Sequence, residues 1–325
     1  MSEENIETTV RLMMSEAIEW LLSKQHKGGW GGDVRATCYV LQALVPAGIS
    51  PLEKPVVEGC RFLRRTQSPA TGTWNENDGD TAEALRTAIL CKMGTESPCV
   101  LAGIKGLSSL KTTGKILVRS EVGWIHPILV ARAFSALGEK PSELLEAIEV
   151  FLTGEVTYQT KYTSRAVLAF CEEHESKTSP RMKKAEAFLK SAVNEISNLS
   201  YEDIGYLLQA LSVLGYKLSS GTVERIVDFL KEKQSTNGSW EDNAKDTAQI
   251  VSGLAMFGIR YKKPSILRKS NLIRILVLSA LLCISIILYF SDLEKMIVNV
   301  VNIVEFFIGI IVILQWVYPT IRVRV

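Results

Sequence analysis

Three groups of side chains in this sequence have the types and spacing for chemistry. The first is a set of acidic turns. Asn77-Asp78-Gly79-Asp80-Thr81-Ala82 places two carboxylates, Asp78 and Asp80, just ahead of a helical run, and Asn243-Ala244-Lys245-Asp246-Thr247-Ala248 repeats its Asp-Thr-Ala end. Paired carboxylates can do acid work if one is kept protonated in a dry pocket. They can also cap helices: Asp80 with Glu83, and Asp246 with Gln249, have the three-residue spacing of a capping box. The second group is the three histidines, His26, His126 and His174. They stand far apart, no CxxC pair accompanies them, and zinc wants three or four convergent ligands, so no metal or other cofactor is expected. Trp124 and His126, just before Pro127, are the candidate ligand-binding pair. The third group is Asn299, Asn302 and Glu305, spaced by three along one side of an apolar run. Polar groups so placed either glue helices together or line a path.

The elements that position these groups are repeats. Residues 17–30 (AIEWLLSKQHKGGW), 59–74 (GCRFLRRTQSPATGTW) and 226–240 (IVDFLKEKQSTNGSW) each carry an aromatic followed by Leu, a Gln four residues on and a closing Gly-x-Trp. The framework residues are Gln25 and Trp30, Gln67 and Trp74, Gln234 and Trp240. After each comes an Asp (Asp33, Asp80, Asp246), an apolar run at helical spacing and a Gly (Gly48, Gly94, Gly258) suited to a left-handed helix end. Weaker copies fill residues 103–138, 147–171 and 185–215. Six helix pairs follow, each able to bury its apolar faces only against its neighbours, so that a closed ring leaves no bare end. Packing assigns the Trp and Gln residues to the framework that ties repeats together, with an aromatic box for a cation as the sharper alternative.

The Gln…Gly-x-Trp repeat resembles the QW motif of the terpene-cyclase and protein-prenyltransferase superfamily, as in squalene–hopene cyclases, over roughly residues 10–260. The resemblance implies an all-α fold, an α/α toroid of six helical hairpins over residues 1–264, and an isoprenoid ligand or substrate. It also implies where chemistry would sit. Class II cyclases protonate an alkene from a DxDD-Thr-Ala sequence, and here Gly79 stands at the donor's place and Lys245 at the same place in the last repeat. The prenyltransferases' Asp-x-Cys zinc pair is absent, as is DDxxD.

Past Pro264 the composition turns apolar. Runs 272–290 and 297–318 are each long enough to cross a bilayer core of ~30 Å, which predicts a two-helix transmembrane hairpin over residues 265–325. Lys262, Lys263, Arg268 and Lys269 precede it and could also meet anionic lipid. Basic flanks put the toroid and both termini in the cytoplasm, making the chain a multi-pass membrane protein. Met1-Ser2-Glu3-Glu4 lacks the basic and apolar stretches of a secretory signal, and six cysteines without a paired motif fit a reducing compartment. With 37 basic and 35 acidic residues the balance excludes a strongly basic nucleic-acid binder. The expected function is therefore a membrane-anchored, non-catalytic toroid that binds an apolar ligand or a protein partner, possible homo-oligomers forming through the hairpin, and perturbs the membrane. The alternatives are an isoprenoid-converting enzyme and a membrane-recruited scaffold.

Overall fold

The computed structural model describes residues 3–112, 125–139, 142–149 and 160–261. The chain divides into two units, Met1–Lys262 and Lys263–Val325, and the described residues all belong to the first. Their elements are helices: α1 (Glu3–Ser23), α2 (Val34–Leu44), α3 (Lys54–Thr66), α4 (Asp78–Leu90), α5 (Pro98–Thr112), α6 (Ile125–Ala136), α7 (Ser142–Ile148), α8 (Thr160–Glu172), α9 (Pro180–Ala192), a 3-10 turn Val193–Asn198, α10 (Tyr201–Leu214), α11 (Gly221–Lys233) and α12 (Ala244–Ala255).

Two kinds of helix alternate, and burial separates them. In α3 the buried residues are Val56, Gly59, Phe62 and Leu63, and in α11 they are Val223, Ile226, Val227 and Leu230. That is one stripe at three- and four-residue spacing, the mark of a helix with one wet face. In α4 nearly every residue from Gly79 to Ala88 is buried, and in α10 the run Ile204–Leu211 is buried without a break. Helices covered on all sides are interior ones. Each fully buried Leu or Ile contributes about 1.5–3 kcal/mol. The interior helices pack in chain order, α2 on α4, α4 on α6, α6 on α8, α8 on α10, α10 on α12, and α12 returns to α2. The ring is closed. Outer helices α3, α5, α7, α9 and α11 each lie against the preceding inner helix, and α1 completes the pattern by packing on α12.

The helix starts depart from the expected caps. Asn77, not Asp80, caps α4, its side chain taking the Asp80 N–H at 2.9 Å, and Asn243 caps α12 in the same way through Lys245 and Asp246. Asp33 is the equivalent residue of α2, where it accepts from the Arg35 and Ala36 N–H groups. Asp80 and Asp246 are the third residues of their helices, so the chain starts each helix three residues earlier than the capping-box spacing implied. An oxygen at that earlier position reaches the free N–H groups of the first turn.

The membrane expectation is corrected. Among the described residues no helix is long and apolar enough to cross a membrane. The longest, α1, has 21 residues but carries Glu3, Glu4, Glu7, Arg11, Glu16 and Glu19, and the others are shorter than a span requires. The two-helix transmembrane hairpin and the multi-pass localisation are therefore without support. The runs 272–290 and 297–318, with Asn299, Asn302, Glu305, Lys262, Lys263, Arg268 and Lys269, lie outside the described residues.

Candidate functional site

The Gln and Trp side chains form one joint, built three times. Gln25 Nε2 donates to the carbonyls of Gly28 (3.1 Å) and Pro55 (2.8 Å), Gln67 to Gly72 and Cys99 (both 2.8 Å), and Gln234 to Gly238 (2.8 Å) and Met13 (3.0 Å). One bond closes the loop and the other reaches the next outer helix; for Gln234 that helix is α1, across the closure of the ring. Trp30, Trp74 and Trp240 are at most 1 % exposed. Their indole N–H groups donate to the carbonyls of Leu21, Leu63 and Leu230, and their backbone N–H groups to the hydroxyls of Thr37, Thr81 and Thr247. Each Trp thus ties an outer helix to its own inner helix, with its polar atom satisfied in an apolar site. With their faces buried in this joint, the three indoles have no open side for a cation.

Of the candidate acids, Asp80 is held as an ion-pair partner. Asp80 takes Arg35 Nε at 2.7 Å on one oxygen and Asn75 Nδ2 at 2.9 Å on the other. Asp78 accepts from the Gly79 N–H at 2.9 Å. His126 falls in α6, and Trp124 lies outside the described residues. Among the described residues no group of three or more His, Cys, Asp or Glu side chains could hold a metal ion.

What the sequence reading missed is a buried polar network on the ring axis. Arg165 in α8 is 1 % exposed, and its Nη2 donates to Tyr206 Oη (2.8 Å), Tyr39 Oη (3.0 Å) and Glu202 Oε1 (3.2 Å). Tyr39 belongs to α2, three steps around the ring from α8. A direct bond between opposite helices crosses the axis and closes it. Glu202 also pairs with Lys161 at 2.5 Å, and Gln249 in α12 donates to Tyr206 Oη at 3.3 Å. Nearer the carboxyl ends of the inner helices, Gln42 donates to Glu83 Oε2 at 2.7 Å and Arg86 pairs with the same oxygen at 3.2 Å. Burial pushes the Glu83 carboxyl up, yet Arg86 and the Gln42 bond outweigh it and hold the group below its ordinary range. The available signal was a charge interrupting an apolar helical run, as in Ser164-Arg165-Ala166-Val167-Leu168 and Leu129-Val130-Ala131-Arg132.

Beyond this plug, at the carboxyl ends of the inner helices, opens a cavity of ≈ 550 Å³. Every inner helix supplies a polar residue to it: Gln42, Arg86, Arg132, Glu172, Gln209 and Ser252. Cations there complement the negative ends of six helix dipoles.

The opposite end carries a titrating group. The Asp246 carboxyl is pushed up to about 6, first by burial and then by Glu202 and Glu241 nearby. A folded value above the ordinary 3.8 means that the fold favours the protonated form. This contribution is complete below pH 3.8 and is lost as the pH rises through 6. Asp246→Asn should therefore raise the melting temperature at pH 8, by the equivalent of about 1 kcal/mol once solvent screening is counted, and leave it nearly unchanged at pH 4. Calorimetric melts at the two pH values check this; a destabilised variant at pH 8 would contradict it.

No family model and no curated protein matches this chain. Among solved structures it resembles the crystal structure of a protein from Actinoplanes, with a TM-score of 0.59 and 14 % identity, over 77 % of this chain and 99 % of that one. At this identity the likeness is one of fold alone.

Proposed function

We propose that this chain is a non-catalytic helical ring that binds a ligand or protein partner at the open carboxyl end of its inner helices. The observation that carries this reading is the bond from Arg165 to Tyr39 across the axis. A cyclase must wrap a long hydrocarbon inside a dry, mainly apolar chamber and keep one strong acid free. Here the axis is filled with charged and phenolic side chains, and Asp80 is engaged by Arg35 and Asn75. The cyclase and prenyltransferase resemblance then concerns the framework: the Gln, Gly and Trp residues build joints, while the middle of the axis is taken up by Arg165, Tyr39 and Tyr206.

Incubation of the purified chain with squalene and with farnesyl diphosphate, followed by mass-spectrometric product analysis, tests the reading. Both substrates should be recovered unchanged. A cyclised or prenyl-transferred product that disappears in Asp78→Asn would overturn it.

A further inference from the structure

The open end of the ring contains a two-arginine clamp, and its present occupant is a carboxylate of the chain itself. Arg132 in α6 sets Nε at 3.1 and 3.0 Å from the two oxygens of Glu172, and Nη2 at 2.6 Å from the first. Arg86 in α4 brings Nη2 to 3.7 Å of that same oxygen. The Arg132 side chain is buried, 5 % exposed, whereas the Glu172 side chain, which lines the cavity, is 34 % exposed. A fork held rigid by burial, with its carboxylate partner on the wet side, is a preorganised anion site. The field there favours negative charge: burial raises the Glu172 carboxyl, but Arg132 and Arg86 outweigh burial and keep it below the ordinary range. Lys177 also lines the cavity, so Arg86, Arg132 and Lys177 face Glu83 and Glu172, three cations against two carboxylates. Between the neutral polar side chains Gln42, Gln209, Ser212 and Ser252, the wall also presents apolar Leu90, Leu168, Val213 and Met256.

We infer that this cavity binds a short aliphatic carboxylate, whose headgroup takes the Arg132 and Arg86 guanidinium groups in place of Glu172 while its chain lies along Leu90, Leu168, Val213 and Met256. The cavity volume of ≈ 550 Å³ is in the range of small-ligand sites. Bidentate geometry selects a planar carboxylate over a hydroxyl, and Leu90, Leu168, Val213 and Met256 favour an alkyl chain over a second charge. The inference rests on the non-catalytic reading and names the ligand class of that same opening.

Titration calorimetry of the full chain with octanoate tests it, with 1-octanol as the neutral probe of equal chain length. Octanoate should saturate, and octanol should bind at least about tenfold more weakly. Glu172→Gln removes the competing charge and should tighten octanoate binding by about fivefold or more, whereas Arg86→Gln should weaken it by a similar factor. Circular dichroism establishes that both variants fold. Absence of saturable binding to both the wild type and Glu172→Gln, equal affinity for octanol, or an affinity unmoved by Glu172→Gln would each overturn the inference and leave the non-catalytic reading standing. Recovery of chemically altered octanoate would instead overturn that reading.

Discussion

Gly72→Ala should cost about 2–4 kcal/mol of stability, while Gly94→Ala costs about 1 kcal/mol. Both glycines hold positive φ, +73° and +79°, so both substitutions carry the same left-handed strain. They differ in what surrounds them. A Cβ at Gly94 meets nothing within 4 Å, whereas a Cβ at Gly72 would overlap the carbonyl oxygen of Ala102 in α5. The close approach is part of the joint: Gln67 bonds Cys99, one turn earlier in the same helix. The next outer helix also comes close at the other two copies, though less so, with Glu58 O 2.7 Å from a Cβ at Gly28 and Glu16 O 2.6 Å from one at Gly238. Adding a methyl group at Gly72 must push two repeats apart and stretch the bonds of Gln67. Urea unfolding of both variants measures the difference. Equal costs would show that the backbone approach carries no energy and that the motif is held by its side chains alone.

This joint was largely legible in the sequence, because all its parts are local. Gln67, Gly72 and Trp74 fall within eight residues, and their partners lie on the flanking helices, which helical periodicity locates. The repeated helix pairs were also legible, as was the role of Gly48, Gly94 and Gly258, which hold φ of +103°, +79° and +83°. The register of the acidic turns was not. Matching Asp33 to Asp80 and Asp246 by residue type hid the match by geometry, in which Thr37, Thr81 and Thr247 serve equivalent Trp residues. Counting back four residues from those threonines gives Asp33, Asn77 and Asn243, the observed caps. The membrane expectation came from apolar run length and basic flanks, and no helix among the described residues is long and apolar enough to cross a membrane. The axis was the least legible part. Arg165 and Tyr39 lie 126 residues apart, and only closure of the ring brings them together.

That closure makes Arg165→Ala the second large effect, an expected loss of about 3–5 kcal/mol. Three acceptors share one guanidinium: two phenols and Glu202. The cation also stacks on the Tyr206 ring, with Cζ 4.2 Å from its centroid, and the Tyr39 and Tyr206 rings meet edge to face at 6.5 Å. Truncation leaves a void at the axis and deprives the two phenols of a buried donor. Glu202 suffers less, because Lys161 still holds it. A methionine at 165 separates these contributions. It refills most of the volume without a donor, so Arg165→Met should cost about half as much as Arg165→Ala, the remainder reflecting the donor lost to Tyr39, since Gln249 still donates to Tyr206. Adding Tyr39→Phe to Arg165→Met should recover about 1 kcal/mol, since one orphaned hydroxyl disappears with it, whereas Tyr39→Phe in the wild-type background should destabilise. Urea unfolding of the four proteins and the wild type completes this double-mutant cycle. An equal effect of Tyr39→Phe in both backgrounds would mean that the two residues are not coupled across the axis, and the case for a filled, non-catalytic ring would lose its main support.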